Sequence, residues 1–375
     1  MTEAPIVEYP AHWKSRRVTL AHDWLTGMRG GENCLELLCA GFPDARIMTL
    51  IHGANAVSDT INNRQIDTSW LQRVPGIQQR YRNFLPLFPM AMRGLPPADG
   101  DLLISTSHCV AKAAPARPEV PHLSYCFTPM RYAWLFYDEY FGSSPAKALV
   151  LKPILAALRR WDQQTAPRVT RFIGISKHVQ ARIQRFYGRE SDLVYPPVDT
   201  HFYTPGTEPR EEFDLIVSAL VPYKRVDLAV RAYTERGWNL RVVGVGGDLE
   251  RLRSVAGPTV QLLEWQTRDA IHELYRRCQH LIFPGEEDFG IVPLEAQACG
   301  TPVIAFARGG ALETVIANET GVFFETQSVP DLMDAVERAR AIDWDRAHIR
   351  GHAEGFGMQA FIDGIDRSIR THAHV

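Results

Sequence analysis

PGEEDFGIVPLEAQACGTPVIAFARGG, residues 284–310, is the stretch on which the reading turns. It opens directly after the apolar run HLIF (280–283), passes through Gly290, enters a helical pattern closing at Cys299–Gly300, and continues into PVIAF (302–306). Glycine suits the position just past a helix end, so the stretch reads as strand, turn, helix, strand: one βα unit of a parallel sheet.

The same alternation extends outward in both directions. Candidate strands are Val18–Ala21, Ile47–Ile51, Leu102–Ser105, His122–Phe127 and Phe172–Ile175 in the first half. A second series runs Leu215–Leu220, Leu240–Val245, Val260–Leu262, His280–Phe283, Pro302–Phe306 and Gly321–Phe324, separated by helical patterns such as Ala229–Glu235 and Ala270–Arg277. Between the series, the prolines of Tyr195–Asp199 force an extended linker. The expectation is an α/β protein with a first domain over 1–195, a second over 200–350, and a terminal segment 351–375 whose amphipathic part, Gln359–Ile369, returns to the first domain as a helix. Two parallel-sheet domains place a ligand at the carboxyl ends of their strands, in a central cleft between them.

Composition narrows the partners. Of 375 residues, 41 are basic and 43 acidic, a net charge of −2, so no general affinity for nucleic acid is expected and any anion site must be local. Six scattered cysteines without a CxxC pair suggest neither zinc nor a disulfide framework, and fit a reduced cytosol. No basic leader precedes an apolar core, and no window approaches 18 apolar residues, so the expected location is cytoplasmic.

The chemistry of the quoted stretch follows from its helix. The amides around Ile291 and Val292 are unbonded donors at a positive dipole end and suit a phosphate. Glu287 and Glu295 stand eight positions apart, about 12 Å if all the intervening residues are helical. That spacing suits a ligand with hydroxyls at both ends and a diphosphate between them. Other motifs lead nowhere. Gly244–Val245–Gly246–Gly247 has Leu249 where a dinucleotide fingerprint needs glycine. Asp99–Gly100–Asp101 reads as a turn, Asp343–Trp344–Asp345 as a helix cap, and Ser176 as another cap.

Glu287-x7-Glu295, together with Lys224 in SALVPYKRVDL, Gly30–Gly31–Glu32 after the first strand and the closing GG, resembles the EX7E motif and its setting in the retaining glycosyltransferases of family 4. AHDWLTGMRGGE, YCFTPMRYAW, YPPVD and VPYKRVDLAV look most like the bacterial mannosyltransferases that build O-antigens and exopolysaccharides. The resemblance implies the GT-B architecture, two Rossmann-like domains facing a central cleft. It also implies transfer of a hexose, mannose from GDP-mannose, to a lipid-linked oligosaccharide, with no metal and no cofactor beyond the nucleotide-sugar donor. On that basis the donor-binding residues are Gly30, Gly31, Lys224, Arg225, Glu287, Gly290, Ile291, Val292 and Glu295. Glu287, Lys224 and His108 are the catalytic candidates, and Asp23, Arg131 and Tyr132 bind the acceptor.

Two positions depart from the family pattern. Ser218–Ala219 stands where many members have a Gly-Arg pair, leaving Arg225 either to supply the missing cation or to pair with a surface acid. Phe127 occupies the place of a histidine near the sugar, and phenylalanine neither donates nor accepts a hydrogen bond. His108 or Lys112 could reach the same region. Leu71–Pro97 interleaves Arg73, Arg80, Arg82 and Arg93 with large apolar residues and contains no acid, which suits an anionic membrane surface at the inner face of the cell membrane as well as it suits a core helix and loop. A nucleotide-sugar epimerase of the same fold and a catalytically silent scaffold subunit are the competing readings.

Overall fold

The computed structural model describes residues 7–134 and 145–373, the side chains of 145–151 excepted. The chain divides into two units. One comprises Val7–Pro196 with the residues from Phe361 onward, and the other Pro197–Ala360.

The first unit holds seven strands, β1 (Val18–His22), β2 (Arg46–Thr49), β3 (Ile66–Thr68), β4 (Leu102–Ser107), β5 (His122–Cys126), β6 (Arg171–Gly174) and β7 (Ser191–Leu193). They form one sheet in the order β3-β2-β1-β4-β5-β6-β7, every pair parallel. β1, β4 and β5 are buried at every position, as expected for parallel strands covered on both faces, and this is why they read as continuous apolar runs. β3 and β7 have no counterpart among the expected strands. Each is a three-residue edge strand with only partly buried side chains, too short for either periodicity to show.

The second unit holds β8 (Asp214–Val217), β9 (Leu240–Val243), β10 (Val260–Glu264), β11 (Leu281–Phe283), β12 (Val303–Phe306) and β13 (Gly321–Phe324). Its sheet, also all parallel, runs β10-β9-β8-β11-β12-β13. In each sheet the order reverses at one place, between β1 and β4 in the first and between β8 and β11 in the second. Crevices for ligands open at such reversals, outside the carboxyl ends of the strands.

Local chemistry agrees with the rejected motifs. Ser176 caps the helix Lys177–Tyr187 by accepting from the Val179 amide at 3.0 Å, and Asp345 accepts from the His348 amide at 2.9 Å. Asp101 accepts from the Arg17 backbone at 2.9 Å. The Gly244 turn packs on its neighbour so closely that a Cβ there would lie 1.8 Å from the Ser218 carbonyl oxygen, so its glycine serves packing.

In the terminal segment 351–375, the stretch Gln359–Ile369 lies within a helix. Residues 351–354 finish the helix Arg346–Glu354, glycines 355 and 357 interrupt it, and a second helix runs Met358–His372. From Phe361 onward that helix packs in the first unit: the Phe361 ring lies 5.4 Å from Tyr125, Trp13 donates to Asp366 at 2.8 Å, and Ser368 donates to Asp192 at 2.7 Å.

Leu71–Pro97 folds as the short helical pieces Trp70–Arg73, Ile77–Arg80, Tyr81–Leu87 and Phe88–Arg93. Leu71, Ile77, Tyr81, Leu85, Phe88 and Met92 belong to the core of the first unit. The outward side is different: Arg73, Arg80, Arg82 and Arg93 are exposed, and so are Trp70, Leu87 and Met90. Among the described residues no helix is long and apolar enough to cross a membrane. All six cysteines are buried thiols, and among the described residues no group of three or more His, Cys, Asp or Glu is placed to hold a metal ion.

Candidate functional site

In the second unit the sheet reversal brings two loops together. Lys224 ends the turn Pro222–Lys224 beyond β8, Glu287 lies in the loop beyond β11, and their side chains form an ion pair, 14% and 25% exposed. The loops touch at Gly285, where a Cβ would come within 3.0 Å of the Lys224 Cα. Glu287 is braced from the other side by the closing glycine pair. The Gly310 amide donates to the Glu287 carbonyl at 2.8 Å, and Gly309, at φ +66°, passes so near that a Cβ would lie 2.3 Å from the same oxygen. Only glycine accommodates both that dihedral and that approach.

Gly290, itself at φ +88°, starts the helix Ile291–Ala298, whose first turn carries no acidic side chain. Ile291 and Val292 are half-buried there. Helix begins only at Ile291, so the spacing of about 12 Å expected for a wholly helical path from Glu287 to Glu295 does not apply. Glu295 lies one turn inside the helix and accepts from the buried Tyr275 hydroxyl at 3.0 Å. Burial pushes its carboxyl up to about 7, opposed by the Tyr275 hydrogen bond and by the nearby Arg268 charge. Arg268 pairs with Asp199 at 2.7 Å and lies 3.9 Å above the Phe202 ring.

Arg225 is engaged locally. Its Nε is 3.4 Å from Asp227, and it donates to the Gln327 side chain at 3.2 Å. The acid it meets, Asp227, is buried and not on the surface, and Lys224 is the cation paired with Glu287.

The reversal in the first unit carries a second polar group. Gly30 and Gly31 open the helix Gly30–Gly41; a Cβ on Gly31 would come within 3.2 Å of the Phe127 ring, while Gly30 faces open space. His22, at the end of β1, shares a hydrogen with Thr106 at 2.7 Å and faces Glu32 at 3.7 Å. Burial raises the Glu32 carboxyl, but the nearby His22 imidazole outweighs it and holds the group below the usual carboxylate range.

Asp23 is wholly buried, and donors converge on both of its oxygens. Oδ1 accepts from the amides of Val110 and Ala111, each at 2.6 Å, and from the Ser107 hydroxyl at 3.3 Å; Oδ2 accepts from the amides of His108 at 2.7 Å and Cys109 at 3.0 Å. The expected acceptor-binding role does not suit a carboxylate so enclosed: Asp23 shapes the turn 107–111. His108 Nδ1 lies 3.1 Å from Asp23 Oδ2, with the imidazole 27% exposed and edge-on to Trp24 at 4.7 Å. Burial takes His108 below the ordinary histidine range, outweighing the opposing pull of Asp23. The Arg131 amide donates to the His108 carbonyl at 3.4 Å, which brings half-buried Arg131 into this region, whereas the Tyr132 side chain packs against the core. Lys112 does not reach it. Its ammonium is buried with Asp162 at 3.1 Å and donates to the Asp162 carbonyl and the Thr165 hydroxyl, both at 2.7 Å.

Residues 200–354, less than half of the chain, match the family model described as glycosyl transferases group 1. The D-inositol 3-phosphate glycosyltransferase of Mycobacteroides abscessus is 31% identical over 233 residues, covering 54% of this chain and 52% of that protein. The protein of the same description from Rhodococcus opacus is 30% identical over 253 residues, covering 58% and 57%. The chain thus spans about half the length of these curated relatives. Among solved structures, the Anabaena protein HepE in complex with UDP superposes with a TM-score of 0.70 at 16% identity, covering 95% of this chain and all of that one. A lipopolysaccharide outer core galactosyltransferase in its apo form gives 0.67 at 14% identity, covering 95% and 99%. With two parallel Rossmann-like sheets and these neighbours the chain has the GT-B fold, and over residues 200–354 its sequence matches the glycosyl transferases group 1 family.

Proposed function

We propose that the protein is a retaining glycosyltransferase that takes a hexose from a nucleoside-diphosphate sugar. The observation that carries this reading is the Lys224–Glu287 ion pair at the reversal of the second sheet, beside the N-terminus of a helix that holds Glu295. The leaving diphosphate gains negative charge as the glycosidic bond breaks, and a fixed ammonium with helix amides stabilises such charge well in a water-poor site. Glu295 accepts the ribose hydroxyls, and Glu287 orients the sugar while supporting the positive charge that develops on it. The leaving phosphate takes the proton of the attacking hydroxyl, so attack and departure share one face of the sugar.

Mannose from GDP-mannose, transferred to a lipid-linked oligosaccharide in surface polysaccharide synthesis, is the specific reaction we propose, on the stretches around AHDWLTGMRGGE and YCFTPMRYAW. The curated relatives are named for D-inositol 3-phosphate, and HepE was solved with UDP, so other bases and acceptors belong in the test. A lipid-linked acceptor fits the outward side of residues 70–93, where exposed arginines and Trp70, Leu87 and Met90 face solvent and suit anionic headgroups at the inner face of the membrane. The deciding experiment is a thermal-shift panel of GDP-, UDP- and ADP-sugars, followed by measurement of nucleotide release with and without lipid-linked glycan. A ligand at a hundredfold excess over its Kd adds about 2.7 kcal/mol of stability. Acceptor-dependent release supports transfer. Release of sugar without acceptor indicates an epimerase, and no shift with any donor indicates a silent scaffold.

A further inference from the structure

Lys224 and Glu287 flank the reversal of the second sheet, and Asp23 and His108 flank the reversal of the first. Asp23 follows β1 directly and His108 follows β4 directly, and β1 and β4 are hydrogen-bonded neighbours. The two pairs differ in one respect: Asp23 is enclosed and its partner is not.

The five protein donors on Asp23 leave its oxygens as acceptors only. A carboxylate 3.1 Å from an imidazole nitrogen favours hydrogen on that nitrogen, because its negative charge attracts an N–H and repels a lone pair. Nδ1 therefore holds the proton of the neutral ring, and Nε2 holds the lone pair. The edge-on contact with Trp24 limits rotation of the ring, and no hydrogen bond to Nε2 is formed among the described residues. The side chain is 27% exposed, which leaves the imidazole accessible to a ligand. The other charged groups near the imidazole are His22, Glu32 and Arg131.

The geometry points to Asp23 as a positioning residue that fixes His108 in the Nδ1–H tautomer, so that Nε2 accepts a hydrogen bond from a substrate hydroxyl at the first unit's sheet reversal. This rests on the glycosyl-transfer reading for the identity of the hydroxyl, a sugar hydroxyl of donor or acceptor. The tautomer itself does not depend on that reading. The arrangement supplies the polar acceptor that Phe127, 6.5 Å from His108, cannot.

Long-range proton–nitrogen NMR on histidine-labelled wild-type protein reads the tautomer directly, with the His108 signals assigned by their loss in His108→Gln. A protonated Nδ1 with a bare Nε2 is expected, and a protonated Nε2 overturns the inference. Asp23→Asn tests the cause. Where circular dichroism shows this variant folded, His108 should titrate at lower pH than in wild type, since the neighbouring negative charge is gone; an unmoved titration overturns the role of Asp23. Substrate contact is read from nucleotide release with GDP-mannose, UDP-glucose and ADP-glucose. On any donor turned over, His108→Leu should lose about tenfold in kcat while His108→Gln, which keeps an acceptor oxygen, loses distinctly less. Equal losses overturn the contact. Absence of turnover by wild type counts against the glycosyl-transfer reading, and the NMR result then decides the Asp23–His108 pair alone.

Discussion

Lys224 and Glu287 meet from loops that follow two hydrogen-bonded neighbouring strands, β8 and β11, at the one place where that sheet reverses its order. The ion pair therefore joins the two walls of the crevice, and each member leaves a charge behind when the other is removed. Lys224→Ala should weaken binding of GDP or UDP by about 10- to 100-fold, the worth of a charge-assisted hydrogen bond of roughly 1.5–3 kcal/mol, with Glu287 then repelling the diphosphate. Isothermal calorimetry with each nucleotide measures it, and unchanged affinity removes Lys224 from the site.

Glu287→Gln and Glu295→Gln should separate kinetically. The first removes negative charge beside the sugar, where positive charge develops, and should lower kcat. The second removes the charged acceptor for hydroxyls already present in the ground state and should raise the donor KM. The reverse pattern would exchange the ends of the donor.

The Glu295 carboxyl also makes a pH prediction. Its pKa in the folded protein is about 7, raised from an ordinary carboxylate value near 4.5. Such a group costs stability above about pH 7, costs less as pH falls, and costs nothing below the unfolded value. Glu295→Gln should thus be more stable than wild type at pH 8, by on the order of 1–2 kcal/mol after allowance for partial exposure, and the two should converge near pH 4. Donor affinity of the wild type should fall as pH drops through 7 and the charge is lost. Urea melts at both pH values test the first part, and calorimetry across the range tests the second.

Most central strands were legible because parallel strands buried on both faces leave continuous apolar runs, and the β11–β12 unit carried its glutamates in a recognisable frame. The edge strands β3 and β7 carried no such run. The enclosure of Asp23 is not legible for a different reason: the amides that surround it come from residues 108–111, some 85 positions later, and backbone donors leave no mark in side-chain identity. Separation along the chain also hides the link between Lys112 and Asp162, which stand 50 residues apart and follow no helical or strand period. Tyr275, Arg268 and His22 were missed because single polar residues at strand or helix ends look like solvated ones until burial is known.

Lys112 and Asp162 form a buried pair, so removing one partner strands the other. Lys112→Met should cost about 3–5 kcal/mol in urea unfolding, and the double variant Lys112→Met/Asp162→Asn should recover part of that loss. The Trp134 and Tyr187 donors, both at 2.8 Å, reach only Oδ2, so Oδ1 has the ammonium alone, and a small effect of the single change would overturn the importance of that pairing.

Membrane attachment through residues 70–93 should depend on charge. Wild type should float with anionic but not with neutral vesicles, salt should release it, and Arg80→Glu/Arg82→Glu should fail to float. Each arginine near the surface contributes on the order of 1 kcal/mol. Equal flotation of both proteins would assign the exposed arginines to solvent alone.

The helix from Met358 has a consequence for the order in which the protein is made. Trp13, Tyr125 and Asp192 wait for Asp366, Phe361 and Ser368, which a ribosome adds only after every residue of the second unit. The first unit to emerge during translation is thus the last to be completed. The second unit, continuous from Pro197 to Ala360, is therefore synthesised while its predecessor still lacks the buried side chains of Phe361, Ile365 and Ile369.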